Sequence, residues 1–306
     1  HDPVCLEDGD FWAVSTTFEN EFTAVKFRTV IDAPFPTTPW SPLKGLWSSS
    51  LSADQYVEYV ERIRESVAEG WVYQVNACRR LTHSDDGQSL RGLFSEILKK
   101  NPAPWASYFE VPGVMIASAS PELFLSRNGS TVKSSPIKGT QATNSQQFGA
   151  KDQAENVMIV DLMRNDLGQI CKSGTVEVPR LLSSEEHPGL QHLVSDVQGE
   201  LLEDISWSQI FTALSPPGSV SGAPKSSATQ VIGENEIARG PYCGALGWIQ
   251  GDQAVLSVAI RTFWKDTDIN FGTGAGITWG SNARAEWEET QLKAKRLISI
   301  AGGELQ

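Results

Sequence analysis

Apolar residues recur along this chain with two different spacings, and each spacing predicts one kind of element. Residues 53–69 place apolar side chains one helical turn apart, and Gly70, a common residue at helix ends, follows them. Similar patterns predict helices over 89–99, 149–167 and 283–301. Strands are predicted over 71–81, where apolar and polar residues alternate, and over 106–111, 114–118, 122–127, 190–199, 243–250, 254–264 and 269–273. The strand over 269–273 is expected to be the last in the chain.

The connections between these elements indicate the fold class. Asn128-Gly129 and Gly251-Asp252 are typical of tight turns between neighbouring antiparallel strands, whereas residues 35–42 predict an irregular connection. Hairpins mixed with long helices favour an α+β protein with mainly antiparallel strands. The 306 residues, of which 40% are hydrophobic, are enough for one large domain or two small ones.

Composition excludes several classes of partner and location. The net charge of −12 argues against non-specific nucleic-acid binding, which needs a basic surface. No run of about 18 apolar residues predicts a membrane-spanning helix, and the first ten residues lack the basic and apolar regions of a signal peptide. Four widely separated cysteines without metal-ligand spacing favour reduced thiols in a cytoplasmic protein.

Two pairs of acidic residues lie on predicted helices. Asp152 and Glu155 are three residues apart on one helix, and Glu286 and Glu289 are three apart on the last. Each pair therefore shares one helical face. Two such faces brought together would supply the oxygen ligands that magnesium prefers. Spacing alone favours a simpler interpretation, solvated acidic helix surfaces, because surface helices contain many such pairs.

Glycine-rich stretches and three single residues are further candidates for chemistry. Residues 216–225 and 272–276 contain glycines that would let backbone N–H groups approach an anion, although turns would use them equally well. Lys138 lies between apolar residues and Gly139, as either a surface charge or a desolvated amine able to act as a nucleophile. His192 and Glu122 are likewise either structural or catalytic.

Read together, the motifs resemble the chorismate-utilising enzymes: anthranilate synthase component I, aminodeoxychorismate synthase component I, isochorismate synthase and salicylate synthase. The resemblance covers residues 50–302 and implies that family's fold, two antiparallel sheets packed as a sandwich with helices outside. The matching stretches are YQVNACRRL (73–81), SASPELFL (118–125), SPIKGT (135–140), AENVMIVDLMRNDLG (154–168), HLVSDVQG (192–199), SPPGSVSGAPK (215–225), GPYCGALGW (240–248), AIRTFW (259–264), GTGAGIT (272–278) and EWEETQLKAK (286–295).

The resemblance implies a magnesium cofactor and its ligands. Glu155 and Glu289 correspond to the metal carboxylates of the family, and Asp152 and Glu286 correspond to residues that support the metal site. Asp152 is slightly shorter than the glutamate usual at its position. In this scheme the metal neutralises the ring carboxylate of chorismate.

Further positions match residues that surround the substrate in the family. The resemblance assigns Glu122 as the general acid that protonates the departing C4 hydroxyl, and His192 as a histidine near the same ring. The implied substrate contacts are Tyr242 and Arg261 for the enolpyruvyl carboxylate, Gly274, Gly276 and Lys293 for the ring carboxylate, and Gly139, Thr140 and Ser219 along the same pocket.

Two positions separate the subfamilies. Isochorismate and salicylate synthases use a lysine to activate water where this chain has Gln74, and anthranilate synthases have alanine where it has Lys138. The PIKGT motif is the mark of aminodeoxychorismate synthase component I. There the lysine amine adds at C2 of chorismate and expels the C4 hydroxyl, and ammonia then attacks C4 and expels the lysine.

The sequence therefore predicts a synthase that makes 4-amino-4-deoxychorismate for p-aminobenzoate and folate synthesis. No residue pattern resembles a glutamine amidotransferase, so a separate glutaminase subunit is expected to supply ammonia. The alternatives are anthranilate synthase component I and a non-catalytic chorismate-binding homologue. Because members of the family have a longer N-terminal region, the resemblance implies that residues 1–50 are its remnant and residues 51–306 the catalytic domain. His1, which is not an initiator residue, also indicates a fragment or a shortened form.

Overall fold

The computed structural model describes residues 2–85, 87–142, 148–187 and 190–305. The strands are Phe11–Thr16 (β1), Phe22–Phe27 (β2), Leu43–Ser49 (β3), Gln74–His83 (β4), Trp105–Val111 (β5), Val114–Ser120 (β6), Leu123–Asn128 (β7), Thr131–Ser135 (β8), Ile137–Ala142 (β9), Glu177–His187 (β10), Leu190–Glu200 (β11), Gly222–Ala223 (β12), Ala245–Gln250 (β13), Gln253–Val258 (β14), Thr262–Lys265 (β15), Ile269–Ile277 (β16) and Gly302–Leu305 (β17). The helices are Ala53–Ala68 (α1), Leu90–Lys100 (α2), Ala150–Gly168 (α3), Trp207–Leu214 (α4), Gly218–Ser221 (α5), Lys225–Asn235 (α6) and Ala283–Ala301 (α7).

The strands form two sheets. In the first sheet the order is β10-β11-β8-β7-β14-β13-β1-β2, and β9 also pairs with β11. In the second the order is β17-β3-β4-β16-β15-β6-β5, and β12 also pairs with β4. Among the described residues the pairs are antiparallel, except that β3 and β17 run parallel. The predicted α+β class with two antiparallel sheets and helices is confirmed.

The hydrophobic core holds the two sheets together. Its larger cluster contains Val14 of β1 and Leu125 of β7 from the first sheet, together with Val75 of β4 from the second. A second cluster joins the second sheet to Phe94 of α2 and Leu297 of α7. Both faces of β4 are therefore covered, which explains why this strand is buried at most positions rather than alternating as the sequence suggested.

Local chemistry fixes the helix ends that the sequence predicted well. Ser52 and Gln55 form a capping box at the start of α1, and Asn282 accepts a hydrogen bond from the N–H of Ala285 at the start of α7. The predicted helices over 149–167 and 283–301 correspond to α3 and α7. Within the described ranges, no helix has a stretch long and apolar enough to cross a membrane.

Two strand predictions are wrong in extent. The strand predicted over 254–264 is two strands, β14 in the first sheet and β15 in the second. The chain crosses between the sheets through residues 259–261, where Arg261 has a φ of 54°, which no extended strand adopts. The strand predicted over 269–273 continues to Ile277, and because β17 follows it, it is not the last.

The first fifty residues contribute strands to both sheets. β1 pairs with β13, and β2 pairs with β1 at the edge of the first sheet. β3 pairs with β4 in the second sheet. Residues 35–42 are irregular, as predicted. Cys5, Cys78, Cys171 and Cys243 are free thiols.

Candidate active site

A cavity of about 960 Å³ is lined by both sheets and by α3 and α7. It brings together nearly all the residues that the sequence singled out. Those lining it are Glu122, Lys138, Gly139, Asp152, Glu155, His192, Ser219, Tyr242, Arg261, Gly274, Gly276, Glu286, Glu289 and Lys293. The side chain of Thr140 lies outside the described part of the structure.

Glu122 lies just before β7 and is 3% exposed. Its carboxyl accepts a hydrogen bond of 2.5 Å from the Ser219 hydroxyl and another from the backbone N–H of Ile137. Burial away from water nevertheless raises the pKa of Glu122 from 4.5 to about 7, because it disfavours the charged form more than these bonds and the nearby Lys138 stabilise it. At neutral pH this carboxyl can therefore donate a proton.

Lys138 reaches the same cavity from β9. Its Nζ donates a hydrogen bond of 3.0 Å to the backbone carbonyl of Ser219, whose hydroxyl contacts Glu122. Burial lowers the pKa of the Lys138 amine, and the positive charge of Lys293 lowers it further, while Glu155 acts in the opposite direction. One residue of α5 therefore links a proton donor to an amine whose neutral form is favoured by its surroundings.

Three glycines on β16 line the cavity. Gly272, Gly274 and Gly276 alternate along the strand and so face the same side of the sheet. A methyl group on Gly272 would lie 2.1 Å from the Tyr242 ring, and one on Gly274 would lie 2.5 Å from the Cys78 sulfur. Side chains from other elements therefore fill the space that glycine leaves.

Cationic and phenolic groups line the part of the cavity beside α7. Arg261 is fixed by a hydrogen bond from its guanidinium to the backbone carbonyl of Lys293. Lys293 itself donates to the Gly274 carbonyl at 2.9 Å and pairs with Glu289 at 2.6 Å. Burial raises the pKa of Tyr242 well above its usual value, so the phenol stays neutral and able to donate. Together these groups suit a carboxylate ligand.

The four acidic residues of the predicted magnesium site lie on two helices that line the cavity. α3 supplies Asp152 and Glu155, and α7 supplies Glu286 and Glu289. In the described residues, no three acidic, histidine or cysteine side chains come close enough to hold a metal by themselves. Magnesium is commonly bound by only one or two carboxylates, together with substrate oxygens and water. The donor set therefore fits an ion whose coordination the substrate completes.

Two backbone features position other predicted residues. Gly139 has a φ of +82°, and a methyl group there would lie 3.0 Å from the Asp152 Cβ, so glycine lets β9 approach α3. His192 on β11 is 4% exposed and lies opposite Thr140 in the β9–β11 ladder. The β strands thus place a buried imidazole at the wall of the cavity.

Asn76 also lines the cavity, although the sequence did not single it out. It lies two residues after Gln74 on β4, and both side chains face the same side as Gly276, the β16 partner of Asn76. The alternation of side chains along a strand could have pointed to Asn76, but only after another inward-facing residue of β4 had been identified.

Comparison with known proteins agrees with this geometry. The family described as chorismate binding enzyme matches residues 12–299. Over 272 residues the chain is 34% identical to anthranilate synthase component 1 of Saccharolobus solfataricus, a match covering 84% of this chain and 64% of that protein. Over 267 residues it is 35% identical to aminodeoxychorismate synthase component 1 of Escherichia coli, covering 82% of this chain and 58% of that protein.

A solved structure shows the same architecture. Anthranilate synthase component I from Streptococcus pneumoniae TIGR4 superposes with a TM-score of 0.77 at 30% identity, covering 88% of this chain and 62% of that one. This chain thus spans less than two thirds of the length of these relatives. Because the matched residues 12–299 include nearly all of both sheets and the whole lining of the cavity, the chain belongs to the chorismate binding enzyme family.

Proposed function

We propose that this protein is an aminodeoxychorismate synthase component 1, which converts chorismate and ammonia to 4-amino-4-deoxychorismate. The observation that carries the proposal is the Lys138 amine, which lies in the cavity with a lowered pKa and a hydrogen bond to the residue that contacts Glu122. A neutral amine beside a protonated carboxyl is the arrangement that displacement of a hydroxyl by nitrogen requires.

The proposed reaction has two displacement steps. The Lys138 amine forms a bond to C2 of chorismate, both ring double bonds shift by one position, and the C4–O bond breaks. Glu122 gives its proton to the departing hydroxyl, which leaves as water. Ammonia then forms a bond to C4, both double bonds shift back, and the bond between C2 and the positively charged Lys138 nitrogen breaks, which releases the neutral lysine amine and leaves the positive charge on the new C4 amino group. The blocked C2 directs the incoming nitrogen to C4.

Substrate orientation follows from the charges of the cavity. Tyr242 and Arg261 would hold the enolpyruvyl carboxylate, and Lys293 with the backbone at Gly274 and Gly276 would hold the ring carboxylate. When bound by one or two of the carboxylates on α3 and α7, a magnesium ion would neutralise the charge of the ring carboxylate. His192 would contact the ring from β11.

Anthranilate synthase is the second candidate, since relatives with that name match this chain about as well as aminodeoxychorismate synthases do. The two activities place nitrogen on different ring carbons, C2 for anthranilate and C4 for the proposed product. Lys138 favours C4, because a lysine bonded at C2 excludes ammonia from that carbon. A non-catalytic homologue would have no use for the lysine and the buried acid together.

Incubation with chorismate, magnesium and an ammonium salt tests the proposal, with products identified by mass spectrometry and NMR. The expected product carries nitrogen at C4 and retains the enolpyruvyl group. Anthranilate, detected by its fluorescence, or the absence of turnover would overturn the proposal.

Lys138→Ala and the longer Lys138→Met are both expected to abolish product formation while chorismate still binds. Lys172→Ala, which removes a surface lysine paired with Glu203, is the matched control. Wild-type rates of 4-amino product from either Lys138 variant would refute the covalent step.

The proposed partner is a separate glutaminase subunit, in a cytoplasmic enzyme that serves p-aminobenzoate and folate synthesis. Ammonia at neutral pH is almost entirely ammonium, which is a poor nucleophile, so direct delivery from such a subunit would help the second displacement. The chain alone is then expected to use ammonium salts, better at higher pH, and not glutamine. Turnover of glutamine by the purified chain alone would refute this assignment.

A further inference from the structure

One edge of β4 is held in part by side chains instead of by a neighbouring strand. Along this edge, β12 pairs with the first residues of β4, and β3 pairs with residues near its end. Between these two contacts, the backbone carbonyl of Asn76 accepts a hydrogen bond of 2.6 Å from Arg239, and the backbone N–H of Cys78 donates one of 2.8 Å to Glu236. The side chains of Glu236 and Arg239 therefore satisfy backbone groups that a strand would otherwise pair.

Glu236 and Arg239 form a buried ion pair with a fixed geometry. Arg239 is 4% exposed, and its Nε donates to one carboxylate oxygen of Glu236 at 2.7 Å while a terminal nitrogen donates to the other at 2.9 Å. The ring of Phe18 lies 4.2 Å from the guanidinium carbon. The hydroxyl of Tyr59 donates to the Glu236 carboxylate at 2.9 Å. Two parallel hydrogen bonds and an aromatic face hold the guanidinium in one orientation.

The other terminal nitrogen of Arg239 reaches α5. It donates a hydrogen bond of 2.9 Å to the backbone carbonyl of Val220. Val220 follows Ser219, whose hydroxyl donates to Glu122 and whose carbonyl accepts from Lys138. Because α5 has only four residues, it has too few internal hydrogen bonds to fix its own position, and contacts from outside the helix determine where Ser219 lies.

We propose that Arg239 is a positioning residue, which holds Ser219 in contact with both the Glu122 carboxyl and the Lys138 amine. Its effect on the reaction rests on the proposed function, whereas the contacts themselves are made without substrate. Arg239 does not line the cavity. A change in its guanidinium should therefore affect the proton donor and the nucleophile together, without removing a contact to chorismate.

Arg239→Lys tests the proposal. Lysine keeps a positive charge beside Glu236, so no buried carboxylate is left without a partner, but its single nitrogen cannot hold Glu236 and both backbone carbonyls at once. The rate at which Lys138 bonds to chorismate without ammonia is followed by intact-protein mass spectrometry at increasing chorismate concentrations. The saturating rate should fall about tenfold or more, because a small displacement of reacting groups is costly, while the chorismate concentration that gives half this rate should change by less than about threefold.

A second measurement needs no substrate. Burial raises the pKa of Glu122, and the hydrogen bond from Ser219 and the charges of Lys138 and Lys293 oppose that rise. If Arg239→Lys displaces Ser219, Glu122 should therefore remain protonated to a higher pH than in wild type. The infrared carbonyl absorption of the protonated carboxyl, assigned by its loss in Glu122→Gln, follows this ionisation.

A second variant and a matched control separate positioning from folding. Glu236→Gln combined with Arg239→Met removes both charges together, so neither is left buried alone, and it should change the rate and the Glu122 ionisation in the same directions as Arg239→Lys. Tyr59→Phe is the control, since it removes a hydrogen bond to Glu236 and none to Val220. It should lower the unfolding midpoint and leave both other measurements unchanged.

The outcomes distinguish the two proposals. Variants that fold with the wild-type bond-forming rate and the wild-type ionisation of Glu122 would overturn the role of Arg239. An equal slowing in Tyr59→Phe would also overturn it, because the effect would then be a general loosening of the fold. If wild-type protein forms no bond with chorismate, the proposed function fails, and the infrared measurement still decides whether Arg239 positions Ser219 against Glu122.

Discussion

Replacing Glu122 with glutamine removes one titrating group from the cavity and leaves its shape almost unchanged. Glutamine can still accept the hydrogen bonds that Ser219 and the Ile137 backbone give to the carboxyl. What it cannot do is ionise. Comparing the stability of the two proteins at several pH values therefore isolates the free energy that the fold loses when this buried carboxyl becomes charged.

The size of the effect follows from the pKa. Burial raises the pKa of Glu122 from 4.5 to about 7 in the folded protein, so folding favours the protonated form. The stability contributed by this shift is fully present below pH 4.5 and is lost as the pH rises through 7. Each pKa unit corresponds to about 1.4 kcal/mol, so at pH 8 the charged carboxylate destabilises the fold by about 3 kcal/mol. At pH 5 the corresponding loss is about 1 kcal/mol.

Urea denaturation at pH 5 and pH 8 measures this difference, once refolding is shown to be reversible. Glu122→Gln is expected to be more stable than wild type by about 3 kcal/mol at pH 8 and by about 1 kcal/mol or less at pH 5. Glu65→Gln, at an exposed position on α1, is the control and should show no such pH dependence. If Glu122→Gln differs from wild type by the same amount at both pH values, the carboxyl is not held in its protonated form.

Three further predictions follow from the same cavity. Gly276→Ala places a methyl group 2.6 Å from the Gln74 amide. The bond between Lys138 and chorismate should therefore form at least about tenfold more slowly, and the free energy of unfolding should fall by about 1–3 kcal/mol. A wild-type rate for this bond-forming step would contradict the prediction. Ionisation of Glu122 above about pH 7 should oppose any further rise in the rate at which Lys138 bonds to chorismate in the absence of ammonia; a rate that keeps rising to pH 9 would exclude Glu122 as the acid. A chelator should stop turnover, and added magnesium should restore it. Glu155→Gln and Glu289→Gln should each need more magnesium for half-maximal activity. Full activity in excess chelator would show that the reaction needs no metal.

The helices that carry the acidic residues were readable in the sequence. Predictions over 149–167 and 283–301 match Ala150–Gly168 and Ala283–Ala301 closely, because the apolar spacing of a long helix is a property of the local sequence. The strand predicted over 254–264 failed for the opposite reason. The apolar residues over 254–264 fit one continuous strand, and no feature of this local sequence indicates that β14 and β15 belong to different sheets.

The set of residues around the cavity was also readable, though not from spacing. From helical spacing alone, a solvated surface was the favoured interpretation of Asp152, Glu155, Glu286 and Glu289. Only the order and length of the motifs pointed to one site, and the fold brings nearly all of those residues to one cavity. Residues far apart in the chain can be recognised together when the motifs around each of them are long.

What only the tertiary structure decided is the chemical state of these groups. Glu122 precedes β7, Lys138 is on β9, Ser219 on α5 and Gly276 on β16, so their mutual enclosure depends on how distant elements pack. Burial raises the pKa of Glu122 and lowers the pKa of Lys138 only because this packing removes both groups from water. Among the described residues neither polar atom of the buried Gln74 amide has a hydrogen-bond partner, and the sequence cannot show this, because whether a polar group has a partner is determined by its neighbours in space.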